Sequence, residues 1–339
     1  MTDDTPNLDL ETPISDVFVP PSIHRDALLG GESYEHYSPV PAALLPPSSP
    51  DSSSTSPSSP QTLGPECCLG VDEAGRGPVL GPMVYGVFYL PLPLSDPLLK
   101  AAHHFDDSKV LTPAVRSDLM QALCTAGSDL HASCGWATHS LSARDIGANM
   151  MRPAAAYNLN AQAMDATVSL IKGVLARGVN VREIYVDTIG QPAAYQKRLE
   201  RVFPTTKITV AKKADSLYPC VSAASVCAKV TRDAALEATQ KPQDGGMAWG
   251  SGYPSDGRCV GWMRSNMHPV FGWGPECRFS WGTAKDMLDA KGGVKIDWPL
   301  DEEEGTSRVT DFFLDSGAKE KDADELGTWF GTPAGLEAF

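Results

Sequence analysis

The chain has 339 residues and carries 28 basic against 42 acidic side chains, a formal net charge of −14. Taken whole, that balance argues against a nucleic-acid partner, because such proteins usually present a basic face. No apolar run reaches the roughly 18–20 residues that cross a bilayer, so no membrane partner is expected. The first residues lack the basic and apolar regions of a secretory signal, so the eight cysteines are expected to be reduced.

The acidic charge is concentrated at the two ends of the chain. Residues 1–65 hold one basic and nine acidic side chains, and residues 300–339 hold three and eleven. Residues 66–299 keep 24 basic and 22 acidic side chains, a net charge of +2. This middle region is long enough for one large domain or two small ones. Its charge is compatible with a phosphate backbone.

Composition divides the chain into three regions. Between Ser38 and Pro60, nine Ser and seven Pro fill 16 of 23 positions, and such a stretch buries too little apolar surface to offset its ordering entropy. We therefore expect residues 1–65 to be a disordered acidic and Ser/Pro-rich segment, and 66–298 to be the folded domain with a helical extension. Residues 299–339 are expected to be an acidic tail that is disordered or binds a partner.

The folded region alternates strand and helix patterns, which predicts an α/β fold with a mixed sheet. A tight Gly/Pro turn joins the first two predicted strands. In chain order, the pattern predicts strands at Cys68–Val71 and Met83–Leu90, a helix from Thr112 to about Ala126, a strand near Leu130–Ala137, a helix over Tyr157–Arg177, a strand at Arg182–Val186, a helix at Pro192–Val202, a strand at Lys207–Val210, and a mostly helical stretch over Ser216–Gln240. The remainder, to about Ala290, reads as helices and loops.

Acidic side chains stand at the ends of three predicted elements. Asp72 and Glu73 follow the first strand, Asp187 ends the strand at Arg182–Val186, and Asp215 precedes a long helix. Gathered carboxylates repel one another unless a cation lies between them, and oxygen ligands without His or Cys suit Mg²⁺ or Mn²⁺. Two such ions can clamp the attacking and leaving oxygens of a phosphodiester displacement. The seven His match no metal spacing and are predicted to be non-catalytic.

Each carboxylate also has a plain structural explanation. Asp215 is equally suited to cap its helix, and Asp187 to sit in the turn that follows it. Asp72 and Glu73 would point to opposite faces of a continuous strand, so both serve one site only if the strand ends or bulges there. From spacing alone, the metal site and these alternatives both stay open.

A glycine-rich loop, Gly75-Arg76-Gly77-Pro78, follows the first strand. Its G-x-G-x-x-x-G spacing and the β-like segment after it do not fit a dinucleotide-binding turn. Two glycines around an arginine instead let main-chain groups approach a sugar or phosphate, and Arg76 adds a charged fork. A simple turn is the alternative.

Seven blocks of sequence, a first signature and six further blocks in family order, resemble the ribonuclease HII family (type 2 ribonucleases H). The resemblance covers roughly residues 66–290 and is closest to the eukaryotic catalytic subunit, with fungal-like detail around Tyr37–Pro41. Its blocks are Leu69–Pro78, Asp106–Lys109, Tyr157–Asn160 with Val186–Thr188, Lys212–Pro219, Ser222–Asp233 and Gly250–Pro254.

The resemblance implies a ribonuclease H-like fold, with a mixed central sheet flanked by helices and a helical C-terminal part. It implies an endonuclease that cuts the RNA strand of RNA–DNA hybrids and single ribonucleotides in duplex DNA. The cut lies 5′ of the ribonucleotide and leaves 3′-hydroxyl and 5′-phosphate ends, as needed for ribonucleotide excision and RNA-primer removal. It further implies two Mg²⁺ or Mn²⁺ ions, a nuclear location, and two smaller partner subunits, B and C.

Site residues are carried over one by one. The metal-binding and catalytic set resembles Asp72, Glu73, Asp187 and Asp215. Gly75, Arg76 and Gly77 resemble the loop that contacts the 2′-hydroxyl at the DNA–RNA junction. Tyr253 resembles the tyrosine that packs on the following deoxyribose, although it could equally brace its own loop.

The remaining substrate candidates are Thr188 and three basic residues. Lys229 and Arg232 lie three apart on one predicted helix, and Lys109 follows an acidic pair. Each is a candidate phosphate contact, and a solvated surface charge is the alternative for the helical pair.

The tail contains an apolar island, Val309–Leu314. It resembles part of a sliding-clamp-binding peptide, but Thr306 stands where glutamine is expected, so packing on the partner subunits or on the core is favoured. Two other functions stay in view: a non-catalytic scaffold that binds hybrids, and a nuclease that cuts plain DNA. All four carboxylates argue against the scaffold, and the loop at Gly75–Gly77 with Tyr253 argues against the DNA nuclease.

Overall fold

The computed structural model describes residues 18–47, 63–105, 111–152, 157–188, 190–240 and 248–290. The strands are β1 (Tyr34–Tyr37), β2 (Cys67–Ala74), β3 (Met83–Pro91), β4 (Gly135–Leu141), β5 (Val181–Asp187) and β6 (Lys207–Ala211). The α-helices are α1 (Arg25–Leu29), α2 (Pro113–Cys124), α3 (Asp129–Ser133), α4 (Ala143–Met150), α5 (Leu159–Ala176), α6 (Pro192–Val202), α7 (Ala214–Leu217), α8 (Pro219–Thr239), α9 (Gly257–Ser265) and α10 (Gly282–Ala290). Among these described helices, none has the length and apolar character needed to cross a bilayer.

The six strands form one sheet in the order β1-β4-β3-β2-β5-β6. Neighbours from β1 to β2 are antiparallel, whereas β2, β5 and β6 run parallel to one another. The predicted mixed sheet is therefore confirmed. Because β2 and β5 are parallel neighbours, their carboxyl ends meet at one edge of the sheet.

Helices cover both faces of the sheet. Helix α8 packs on β2 and β3, and its buried run from Ser222 to Ala228 consists mostly of small residues that permit a close approach. The opposite face is covered by α5, whose Leu170, Ile171 and Val174 pack with the β2, β3 and β5 side chains. This packing fixes the edge where β2 and β5 end relative to the first turns of α7 and α8.

The helix predicted to begin at Thr112 starts as expected. Thr112 caps α2 by accepting a hydrogen bond from the amide of Val115, with Pro113 at the first helical position. The predicted strand near Leu130–Ala137 is wrong in its first half, because Ser128 caps a short helix there, α3, and the strand begins at Gly135.

The N-terminal residues 18–47, called here the strap, are part of the fold. Strand β1 pairs with β4, and the hydroxyls of Ser22 and Thr231 lie 2.8 Å apart in the interior. The expectation of disorder across residues 1–65 is therefore wrong for the strap. The signal was hard to see, because β1 is only four residues long and none of them is fully buried. Residues 1–17, 48–62 and the acidic tail lie outside the described residues.

Acidification is expected to weaken the strap. The Glu35 carboxylate lies 3.2 Å from Nδ1 of His139 and accepts hydrogen bonds from Ser169 and Tyr37. The His139 contact, with these hydrogen bonds, lowers the pKa of Glu35 from 4.5 to about 2, and burial lowers that of His36 from 6.5 to about 4. Both groups take up protons on unfolding, so stability falls as pH drops from 6.5 to 4 for His36 and from 4.5 to 2 for Glu35.

Thermal unfolding measured from pH 8 to pH 4 tests this linkage. The variant His36→Gln should show a smaller decrease in Tm between pH 6.5 and 4 than the parent chain. Parallel pH profiles for the two proteins would contradict the assignment to His36.

Candidate active site

Asp72 and Glu73 reach one cleft without any break in their strand. Strand β2 keeps unbroken register with β3 through both residues and ends at Ala74, so the strand end is found where it was expected and no bulge is present. The parallel partner β5 pairs with β2 only as far as Val71, and the sheet opens beyond it. Asp72 therefore faces α8, where Ser225 bonds to it, and Glu73 faces α5 and α6. Both line the cleft at the opening.

The other two carboxylates come from the next strand and the helix beyond it. Asp187 ends β5, and its Oδ1 accepts a hydrogen bond of 2.8 Å from the amide of Ala214 at the start of α7. Asp215 lies in the first turn of α7 and is 4% exposed. Lys213 occupies the N-cap position, with φ of 57°, so the capping explanation for Asp215 is wrong. The Asp187 carboxylate thus binds α7, 27 residues further along the chain, and a role confined to the turn after β5 does not explain this contact.

A cleft of 690 Å³ joins the four carboxylates to the basic loop. Helices α2, α5 and α8, the glycine loop and the segments at Tyr253 and Trp281 also contribute to its walls. The lining residues include Asp72, Glu73, Asp187 and Asp215 with Gly75, Arg76, Gly77, Arg116, Lys229, Arg232, Asp233, Tyr253 and Trp281. Acidic groups at the strand ends thus share one cleft with basic groups from the glycine loop, α2 and α8.

The carboxylates of Asp72 and Glu73 are held where ionisation is unfavourable. Burial raises the pKa of Asp72 well above its ordinary value, and the charges of Glu73 and Asp187 raise it further. Burial raises the pKa of Glu73 to about 7, an effect that Asp187 adds to and Arg76 opposes. Buried like charges of this kind are stabilised by a cation bound between them.

This donor set fits a divalent metal ion. It offers carboxylate oxygens, the hard ligands that Mg²⁺ and Mn²⁺ prefer, and its excess negative charge lies in a low-dielectric environment. Among the described residues, no three His, Cys, Asp or Glu side chains are already grouped closely enough to hold one ion.

The glycine loop is held in an uncommon conformation. Gly75 has φ of 80°, and a Cβ atom there would lie 2.2 Å from Nε of Arg232. The guanidinium of Arg76 donates to Oδ1 of Asn160, close to the start of α5. A Cβ atom on Gly77 would lie 3.2 Å from the ring of Tyr253, so the loop and this ring are neighbours.

Two residues that sequence reasoning missed support this loop from behind. Arg278 is fully buried and donates to the carbonyl oxygens of Gly75, Arg76 and Gly81 at 2.7–3.1 Å. The indole of Trp281 donates to the carbonyl of Gly77 at 3.0 Å. An arginine among apolar residues in Cys277–Trp281 was the available signal, because such a group is buried only when it is hydrogen-bonded.

The remaining predicted contacts fall into different positions. Lys229 is half-buried and Tyr253 is 39% exposed, and both line the cleft. Arg232 is only 6% exposed, so the two basic residues of α8 do not form one equivalent phosphate-facing surface. Thr188 is buried and accepts from the amide of Gly190 at 3.2 Å. Lys109 lies outside the described residues.

The site has the features of a phosphodiester-cleaving nuclease. Its carboxylates lie at the ends of sheet strands, beside a loop that presents main-chain groups and an arginine. The family model for ribonuclease HII matches residues 69–284. The chain belongs to the ribonuclease HII family and is a ribonuclease H endonuclease.

Relatives and solved structures agree with this assignment. The A subunit of ribonuclease H2 from Neurospora crassa is 64% identical over 325 residues, covering 95% of this chain and 97% of the relative. The corresponding human protein, also an A subunit of ribonuclease H2, is 44% identical over 260 residues, covering 75% and 84%. The crystal structure of the ribonuclease H2 from Pyrococcus horikoshii superposes with a TM-score of 0.53 at 28% identity, covering 66% of this chain and 97% of that one.

Proposed function

We propose that the chain cuts the RNA strand of RNA–DNA hybrids, and single ribonucleotides in duplex DNA, on the 5′ side of the ribonucleotide. Cleavage leaves 3′-hydroxyl and 5′-phosphate ends. One observation carries the proposal: four carboxylates share a cleft with Gly75–Gly77 and Tyr253. The carboxylates suit phosphodiester chemistry, and a contact from the loop and ring to the ribose 2′-hydroxyl, which distinguishes RNA from DNA, would give the choice of substrate.

Asp72, Glu73, Asp187 and Asp215 are the residues that would hold two Mg²⁺ or Mn²⁺ ions. Such ions would neutralise the carboxylates and would supply activation of a water molecule and stabilisation of the leaving oxygen. The side chains of the chain itself orient the substrate. Arg76 and Lys229 offer positive charge to the phosphate backbone, and the amide of Ala214 fixes the Asp187 carboxylate.

Cleavage of three matched duplexes tests the proposal. They contain a single ribonucleotide, a long RNA strand or DNA alone, and each is incubated with Mg²⁺ or Mn²⁺. We expect cleavage of the first two only, with the single cut on the 5′ side. Cleavage of the DNA duplex would support a DNA nuclease instead, and binding without cleavage of any duplex would support a hybrid-binding scaffold.

Tyr253 is expected to matter most at isolated ribonucleotides. Its ring lies beside Gly77, where the deoxyribose after the ribonucleotide would pack. The variant Tyr253→Leu should lose roughly tenfold or more in rate on the single-ribonucleotide duplex, with a smaller loss on the long hybrid. Equal losses on both substrates, measured under single turnover, would show that the ring only supports its loop.

The proposal includes a heterotrimer with B and C subunits, located in the nucleus and acting in ribonucleotide excision and primer removal. Residues 305–339, which contain the apolar island Val309–Leu314, are a candidate partner-binding segment outside the described residues. Deleting 305–339 should reduce co-purification of the two partners, and undiminished assembly would refute this role.

Nuclear location is tested by microscopy of the tagged chain.

A further inference from the structure

We propose that Arg232 is a positioning residue that sets the Tyr253 ring against the Gly75–Gly77 loop, and that it is not a phosphate contact. The inference rests on the proposed function, because it concerns how that site recognises an isolated ribonucleotide. It assigns to this buried arginine a role in substrate choice.

The guanidinium of Arg232 lies between the two segments that recognise the ribonucleotide. Its Nη2 donates to the carbonyl of Ser251 at 3.0 Å, two residues before Tyr253. Its Cζ lies 5.7 Å from the centre of the Tyr253 ring, within the range of a cation–π contact. On its other side, its Nε would be 2.2 Å from a Cβ on Gly75, so only glycine leaves room for it.

A second buried arginine completes the same support. Arg278 donates to the carbonyls of Gly75 and Arg76, and Trp281 donates to that of Gly77. The guanidinium of Arg278 also lies 4.9 Å from the Trp281 ring centre. The loop is therefore held by Arg278 and Trp281 on one side, while Arg232 connects it to the Tyr253 segment.

Burial argues against a phosphate role for Arg232. Arg232 lines the cleft, but it is only 6% exposed and its Nη2 donates to a main-chain carbonyl, which leaves little N–H surface for a phosphate oxygen. Lys229, one turn earlier on α8, is more exposed. The two basic residues of α8 therefore have different roles: Lys229 offers its charge to the substrate, and Arg232 holds the Tyr253 segment against the glycine loop.

Two variants, Arg232→Lys and Arg232→Met, test the inference in the full complex. Single-turnover rates and dissociation constants are measured on the single-ribonucleotide duplex and on the long hybrid, with binding repeated across salt concentrations. Thermal unfolding confirms that each variant is folded. If Arg232→Met does not fold, Arg232→Lys, which keeps the charge and most of the volume, carries the rate measurements.

In both variants we expect the cleavage rate on the single-ribonucleotide duplex to fall roughly 10–100-fold. The cleavage rate on the long hybrid should fall by less than about threefold. The salt dependence of binding by Arg232→Met should match that of the parent chain. In a double-mutant cycle, adding Tyr253→Leu to Arg232→Lys should cost less than about twofold further, because both changes disturb the same contact.

Three results would overturn the inference. They are equal rate losses on both substrates, a salt slope reduced by about one in Arg232→Met, and full multiplication of the two losses in the cycle. If the parent chain itself does not cut the single-ribonucleotide duplex, the proposed function fails, which is distinguishable from failure of the inference alone.

Discussion

Asp72→Asn is expected to abolish cleavage, with a rate loss of roughly 10³-fold or more, while hybrid binding survives. Asp72 is 6% exposed, receives a hydrogen bond from the amide of Glu73 at 2.8 Å, and lies among the other carboxylates of the cleft. Asparagine keeps the shape but removes the charge on which a bound divalent ion depends. Rates are measured under single turnover, and binding is measured on uncleaved substrate with Ca²⁺ or without metal.

The same variant is expected to change stability in opposite directions with and without metal. The raised pKa of Asp72 means that its ionisation costs folding free energy as pH rises from 3.8 through the folded-state value. Without metal at pH 8, Asp72→Asn should therefore unfold at a higher temperature than the parent. Added Mn²⁺ should stabilise the parent more strongly, because it binds the folded state.

Asp233→Asn is the matched control. Asp233 lines the same cleft from α8, but its side chain is 48% exposed and its carboxylate lies 3.9 Å from the guanidinium of Arg116. We expect its cleavage rate to stay within a few-fold of the parent rate and its response to Mn²⁺ to be retained. Normal turnover by Asp72→Asn, or equal losses in both variants, would contradict the assignment of the metal site.

Gly75→Ala is expected to have the second largest effect. The change places a Cβ 2.2 Å from Arg232 and 2.7 Å from the carbonyl of Pro82, at a φ of 80° that L-residues rarely adopt. The loop must move, and a displacement of about 1 Å at a recognition loop costs roughly 10²-fold in rate. We expect that loss on the single-ribonucleotide duplex, with metal-dependent stabilisation retained because the carboxylates are untouched.

Gly127→Ala separates loop displacement from the cost of the backbone conformation. Gly127 lies between α2 and α3, has φ of 92° and would have nothing within 4 Å of an added Cβ. It should lose roughly 1 kcal/mol of folding free energy with unchanged cleavage. If Gly75→Ala matches Gly127→Ala in both folding free energy and cleavage rate, the glycine loop is not held by close packing.

Local sequence patterns predicted where the strands and helices that carry the site begin and end. Strand β2 ends in carboxylates, α2 begins at a Thr-Pro pair, and Asp187 terminates β5, all within a few residues of the expected positions. Patterns of burial and capping act over short separations, which is why they could be read from the chain. These patterns left the metal site open, and the set of four carboxylates was expected from the family resemblance; parallel pairing of β2 and β5 brings Asp72 and Asp187 to one edge of the sheet.

Other features depended on contacts between distant residues. Arg278 binds carbonyls about 200 positions earlier, and β1 pairs with β4 across about 100 residues. The burial of Arg232 follows from the glycine at position 75, which no local pattern of α8 indicates. Sequence spacing placed Lys229 and Arg232 on one helix face but could not show that one is half-buried and the other buried.

The charge distribution gains a physical explanation from the site. The net +2 of residues 66–299 includes the four site carboxylates, whose charge two divalent ions would cancel. The cleft would then present its basic groups to a phosphate backbone, with the salt dependence typical of such binding.

The most direct test is a crystal structure of the complex with Mn²⁺ and a duplex containing one ribonucleotide, using a substrate that resists cleavage. Anomalous scattering locates the ions independently of the protein density. The account predicts Mn²⁺ bound by Asp72, Glu73, Asp187 and Asp215, with the ribose 2′-hydroxyl at Gly75–Gly77 and the next deoxyribose on Tyr253. Ions bound elsewhere, or a ribonucleotide away from this loop, would contradict it.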